Sequence, residues 1–242
     1  MGEKSSSLAL LAERIRSLER TSSVVCDRLS SGNRILDDML PGGGVRRGGI
    51  IEWINDKEGA GAWSLALMLA QRACRDHGIL VVIDRHREFH PMPLLQASWN
   101  SHQVLLIHPQ TEKEELWAWE HVLRCRGVAA VMGVLRKGQD RALRRLQLAA
   151  ESGLGIGLLL RPKEAIAEPS WGDARIQVEP LPSNQFARPP DSLKRFLRLT
   201  LLYARGGVAG RSVEVSWDEE ANTLSLASRL GNSTPARHSV GF

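Results

Sequence analysis

The chain has 242 residues, of which 43% are apolar, and a formal net charge of +5. That is enough for one full globular core; it excludes a disordered or collagen-like class and leaves nucleic acid or an acidic partner open. No apolar run approaches the roughly 20 residues that span a bilayer, no signal-peptide core follows residues 1–7, and Cys26, Cys74 and Cys125 show neither disulfide-framework nor zinc-site spacing, so a cytoplasmic protein away from membranes is expected.

The first element is a helix over 7–20, where Leu8, Leu11, Ile15 and Leu18 make a narrow seam at i, i+3, i+7 and i+10. Such a seam packs on its own domain or docks on a partner. A Ser/Thr-rich link follows, then a short helical stretch over 35–40 and the turn Pro41-Gly42-Gly43-Gly44. A buried strand is expected at 48–54. From there helices (61–77, 92–99, 111–125, 138–152) alternate with apolar strands (79–84, 103–107, 128–134, 154–160). That alternation predicts βαβ units, a mainly parallel central sheet and helices on both faces. After residue 170 the helices stop. Strands at 175–178, 196–203, 212–217 and 223–227 should extend the sheet with antiparallel pairs. Residues 179–191 carry four prolines and read as an exposed loop, and the polar tail 231–242 as disordered.

The segment after the first long strand has the layout of a phosphate-binding loop without its chemistry. Such a loop needs glycines for backbone N–H groups to wrap phosphates, a lysine for the β/γ-phosphates and a Ser or Thr for Mg²⁺. Here Gly59 and Gly61 are present, but Ala62 stands at the lysine position and Trp63 at the hydroxyl position. Asp56 and Glu58 would repel phosphate, and Lys57 and Ser64 are out of register.

The run LSSGNRILDDMLPGGGVRRGGIIEW resembles the start of a RecA-type core, and GILVVIDRHREFHP resembles the RecA strand that ends in Asp and is followed by a catalytic Glu. Asp84 is kept, but His86 stands at the Glu position. VAAVMGV resembles the Walker B strand, with Gly133 at its Mg²⁺-directing position. With FLRLTLLYARGGVAGRSVEVSWDEEANTLSL, these features are most similar to the ImuA group, small RecA-like accessory proteins of bacterial mutagenesis cassettes, over residues 28–228.

The resemblance implies an α/β fold with a RecA-like core, antiparallel C-terminal strands and an N-terminal helix. The boundaries are 1–27 for the helix and linker, 28–230 for the RecA-like domain and 231–242 for the tail. It implies a pseudo-ATPase with no cofactor, acting in SOS-induced translesion synthesis. Partners would be a Y-family polymerase relative and RecA itself, with Leu8, Leu11, Ile15 and Leu18 as the contact. A SulA-like cell-division inhibitor and a RecA-type ATPase that keeps its nucleotide are the alternatives.

Asp84, His86 and His90 do not make a metal site, because Pro91 breaks the helix their spacing would need. Arg141, Arg144 and Arg145 share a helix face beside Arg136 and Lys137, while Lys194, Arg195 and Arg198 enter a strand and Arg205 and Arg211 flank a Gly-rich bend. Each cluster is either a solvated face or a contact for DNA or an acidic partner. In RecA-like filaments, basic residues at that bend reach a neighbour's nucleotide; Arg205 matches one such position, but Tyr203 replaces the lysine of the other. Trp117 and Trp119, two apart on one helix, cannot both face the core, so one is a candidate partner anchor.

Overall fold

The computed structural model describes residues 28–55, 59–75, 78–90, 99, 101–183, 194–218 and 223–227. The helix expected at 7–20, the body of the one at 92–99, residues 184–191 of the proline-rich loop and the tail lie outside the described residues.

Among those residues nine strands share one sheet. They are β3 (Ile50–Asn55), β4 (Ile79–Ile83), β5 (Val104–Ile107), β6 (Val128–Val134), β7 (Ile156–Pro162), β8 (Ala174–Leu181), β9 (Lys194–Ala204), β10 (Ser212–Asp218) and β11 (Thr223–Leu226). Their spatial order is β11-β10-β9-β8-β3-β7-β6-β4-β5. All pairs from β8 to β5 are parallel, and those from β8 to β11 are antiparallel. β8 is therefore the boundary strand, parallel to β3 and antiparallel to β9. Its expected role as the first antiparallel extension holds on one side only. A two-stranded ribbon, β1 (Arg28–Leu29) with β2 (Val45–Arg46), was not legible in the sequence.

Helices cover both faces. α1 (Arg34–Met39) and α2 (Ala62–Cys74) join the core on Ile51, Trp53, Val82, Met132 and Leu158. α3 (Glu112–Leu123) and α4 (Asp140–Gly153) pack on Ile50, Val81, Val131 and Leu159 on the other face. The two sets alternate along each strand, as residues in a pleated sheet must. Strands β3, β4, β6 and β7 are buried on both faces and read as apolar runs interrupted only by Glu52 and Arg161, whereas the edge strand β5 exposes Leu105 and Leu106; in β9 and β10, buried Leu197, Leu199, Leu201, Val215 and Trp217 face one side.

The helix ends are chemically marked. The Asn33 side chain accepts the Ile35 N–H at 3.0 Å to start α1. Thr111 caps α3 by accepting from Glu114 N–H at 3.2 Å, while the Glu114 carboxylate reaches back to Gln110 N–H at 2.8 Å. α2 begins directly after Gly61, one residue later than expected, and ends at Cys74 rather than 77.

Candidate functional site

A cleft of about 760 Å³ opens at the C-terminal ends of β3, β6 and β7. This is where ligands sit in open parallel sheets, because successive connections diverge there. Its walls include Asn55 at the end of β3 and Gly59 after it, Trp63 on α2, Glu88 and His90 after β4, Arg136 after β6, and the end of β7 with the two residues that follow it, Leu160 to Glu164.

Asp56, Lys57 and Glu58 lie outside the described residues, and the rest of the loop is described from Gly59. Gly59 and Gly61 adopt φ of 76° and 93°, values that L side chains rarely tolerate. A Cβ on Gly61 would meet Leu197 of β9 at 3.0 Å, so the antiparallel half presses on the loop. Arg195 of the same strand donates to the Gly59 carbonyl at 3.2 Å. Ala62 is fully buried, its methyl in the core. Trp63 turns its indole towards Phe89, with ring centroids 5.5 Å apart, and the two help to line a smaller apolar cavity of about 170 Å³ beside the cleft.

The carboxylates are rearranged too. Asp84 accepts the N–H groups of Glu88 at 2.9 Å and Phe89 at 3.1 Å. It ties down the turn after β4 and does not project into the cleft. His86 is exposed and is not among the lining residues. Glu88, two residues on, does line the cleft and receives a 2.5 Å bond from Arg136. A side chain at Gly133 has no room, since its Cβ would overlap the Ile83 carbonyl oxygen and approach Trp119 at 3.2 Å. No group of three metal-ligating side chains occurs among the described residues.

Beneath the cleft lies a charge network that the sequence did not reveal. Glu52 of β3 is 1% exposed and accepts from Arg175 at 2.8 Å, Arg161 at 3.2 Å and Ser170 at 2.5 Å. Arg161 also pairs with Glu168, and Arg175 donates to the Glu168 carbonyl at 2.8 Å. The network pins the crossover between β7 and β8 onto the sheet. The available signal was a charge inside each of the apolar runs IIEWI and GLLLR.

The predicted basic residues separate by their partners. Arg205 donates to Glu151 at 3.3 Å and to the Trp171 carbonyl at 3.0 Å, and pairs with Asp173. Arg46 joins the same carboxylates at 3.0 and 3.1 Å. Burial alone would raise the Glu151 pKa, but bonds from Gln147 and Arg46 and the charges of Arg46 and Arg205 hold it below the usual carboxylate range. Arg198 pairs with Glu214 at 3.0 Å, Arg211 donates to the Asp38 carbonyl at 2.9 Å, and Lys194 sits opposite Asp218 in the strand register. On α4, Arg145 pairs with Glu120 and Arg144 lies 5.1 Å over the Trp171 ring. Arg141 has no carboxylate partner among the described residues. Trp119 is fully buried and Trp117 is 61% exposed, which resolves the pair. Leu8, Leu11, Ile15 and Leu18 lie outside the described residues.

No family model matches the chain. A protein named ImuA from Caulobacter vibrioides is 30% identical over 200 residues, which cover 75% of this chain and 80% of that one. RecA of Borreliella burgdorferi is 32% identical over 104 residues, 43% of this chain and 28% of that RecA. The solved RadB recombinase superposes with a TM-score of 0.59 at 17% identity, covering 79% of this chain and 97% of that one. That likeness concerns the fold: the α/β architecture here is RecA-like.

Proposed function

The chain belongs to the ImuA family, and from that premise we propose that it is a non-catalytic RecA-like accessory protein of SOS-induced translesion DNA synthesis, working through protein contacts. The observation that carries the loss of catalysis is the content of the cleft. Where phosphate-binding relatives place a lysine and a hydroxyl, this chain has a buried methyl at Ala62 and an indole at Trp63 packed towards Phe89. The carboxylate that does face the cleft, Glu88, is neutralised by Arg136. Ala62, His86 and Gly133 are thus three separate departures from ATP chemistry. Calorimetric titration of the full chain with MgATP should show no saturable heat, and micromolar binding would overturn the pseudo-ATPase reading.

The partners follow from the family premise: a Y-family polymerase relative, and RecA itself as a second RecA-like surface. The seam of Leu8, Leu11, Ile15 and Leu18 supplies the contact, since apolar residues at that spacing present one face to a partner. Leu11→Asp with Ile15→Asp should abolish pull-down of the polymerase relative while leaving the melting temperature unchanged. Undiminished capture would remove that role from the helix. The basic positions on α4 and β9 are contacts for DNA or for an acidic partner.

A further inference from the structure

We propose that the outer face of α3 and α4 docks an acidic amphipathic helix presented by a protein partner. This deepens, and rests on, the reading of the chain as a protein-contact platform.

The two helices lie side by side on one face of the sheet, bridged by Glu120, which pairs with both Arg124 and Arg145. On α4, Arg141, Arg145 and Leu148 fall at i, i+4 and i+7, so they share one outward line, with Arg144 beside it. Leu148 is 54% exposed in the midst of these arginines. On α3, Trp117 is held in place by its neighbour one turn on. The His121 ring stacks on it at 4.0 Å, and His121 Nδ1 donates to the Trp117 carbonyl at 2.9 Å. An exposed indole already fixed in one position loses little freedom on binding.

The charge balance selects the occupant's sign. The carboxylates Glu112, Glu114 and Asp140 lie at the helix starts, where Glu114 accepts the Gln110 N–H at 2.8 Å and Asp140 the Trp171 N–H at 2.5 Å. Along the helix bodies Glu120 is shared by two arginines, while Arg141 has no carboxylate partner among the described residues and Arg144 rests on an aromatic face. The patch around Leu148, with Arg124, Arg141, Arg144 and Arg145 against Glu120, is therefore positive, and the surface complementary to it is acidic. The apolar residues select its class. A phosphate backbone gains nothing from an exposed leucine and tryptophan, whereas Trp and Arg together are the residues that anchor protein interfaces. A seam between two packed helices, with apolar anchors on each, fits the apolar face of a third helix, its acidic flanks meeting the arginines.

The test uses the full chain and three probes at about 0.15 M salt. They are a fluorescent peptide of about 18 residues with Leu at i, i+3, i+4 and i+7 and Glu elsewhere on the exposed face, a scrambled peptide of the same composition, and a duplex DNA of equal charge. The amphipathic peptide should bind roughly tenfold or more tightly than the scrambled one. Trp117→Ala with Leu148→Ser, and separately Arg141→Glu with Arg145→Glu, should each weaken it by roughly tenfold or more. All four side chains are exposed, so melting temperatures should stay within a few degrees of wild type.

Equal binding of the two peptides, or an unaffected apolar variant, would overturn the proposal. So would DNA that competes the peptide off at lower concentration. If the peptide fails while the polymerase relative is still captured through the N-terminal helix, this face is wrong and the accessory role stands. If both fail, the accessory role falls with it.

Discussion

The cleft and the α3–α4 face both carry arginines, and they use them in opposite ways. In and under the cleft the guanidinium groups are committed within the chain: Arg136 to Glu88, and Arg161 to Glu52 and Glu168. On the outer face four arginines, Arg124, Arg141, Arg144 and Arg145, stand around the single carboxylate of Glu120, and Leu148 is exposed among them. A site whose charges are satisfied internally has little to offer a phosphate. A face with unsatisfied charge and exposed apolar area has something to offer a partner. That contrast is the basis for the proposed working surface on α3 and α4 rather than at the cleft.

The most severe way to break the contrast is to remove the centre of the internal network. Glu52→Ala leaves two buried arginines short of their carboxylate and should cost about 3–5 kcal/mol of stability in urea denaturation. A loss under about 1 kcal/mol would mean that water reaches the network and that the cleft floor is less closed than described.

Restoring an acidic residue on β6 should come next in effect. Gly133→Asp forces a side chain against the Ile83 carbonyl and Trp119, at about 1–3 kcal/mol or more for overpacking. MgATP titration of that variant should stay flat, because Ala62 and Trp63 are unchanged. Recovered binding would show that the cleft is only one residue from competence.

A pH series sharpens the boundary between the two regions. Glu115, at the start of α3, is almost wholly buried, and burial raises its pKa against the opposing charges of Arg85 and His86. The folded state therefore favours the protonated form. Its stabilising contribution is full below the unfolded value of about 4.3 and is lost as pH rises through the higher folded value. Glu115→Gln should raise the melting temperature at pH 7 and do so less at pH 4. An equal or reversed difference would refute the assignment.

The smallest effect is expected from Arg136→Ala. Arg136 and Glu88 are 48% and 44% exposed, so solvent screens the pair and the loss should be about 0–1 kcal/mol. Nucleotide titration on this variant asks whether the pair itself excludes anions. Any gain in MgATP affinity would assign it that role.

Much of the parallel half was readable because buried strands and amphipathic helices leave strong periodic patterns. The helix expected over 111–125 is Glu112–Leu123, and the strand over 128–134 matches β6. The substitutions at Ala62 and Trp63 were visible because a phosphate loop ties chemistry to fixed offsets. The role of Asp84 was not, since a carboxylate at a strand end can face a ligand or cap its own turn. Glu88 carries no sequence signal, because its approach to Arg136 joins residues 48 positions apart. Trp117 and Trp119 lie between these cases. Helical spacing required one to be exposed, and only packing showed which.

The sequence by itself determined the alternating α/β plan, the change of pattern after residue 170 and the presence of Ala62 and Trp63 at the loop's lysine and hydroxyl positions, because each is a local property of a few consecutive residues. Only the tertiary structure decided that β8 turns the sheet from parallel to antiparallel, that Glu52 gathers Arg161 and Arg175 beneath the cleft, and that Glu120 of α3 meets Arg145 of α4 on the outer face. Those outcomes depend on which distant charges meet, and a charge's partner is fixed by the geometry of the folded chain rather than by its neighbours in sequence.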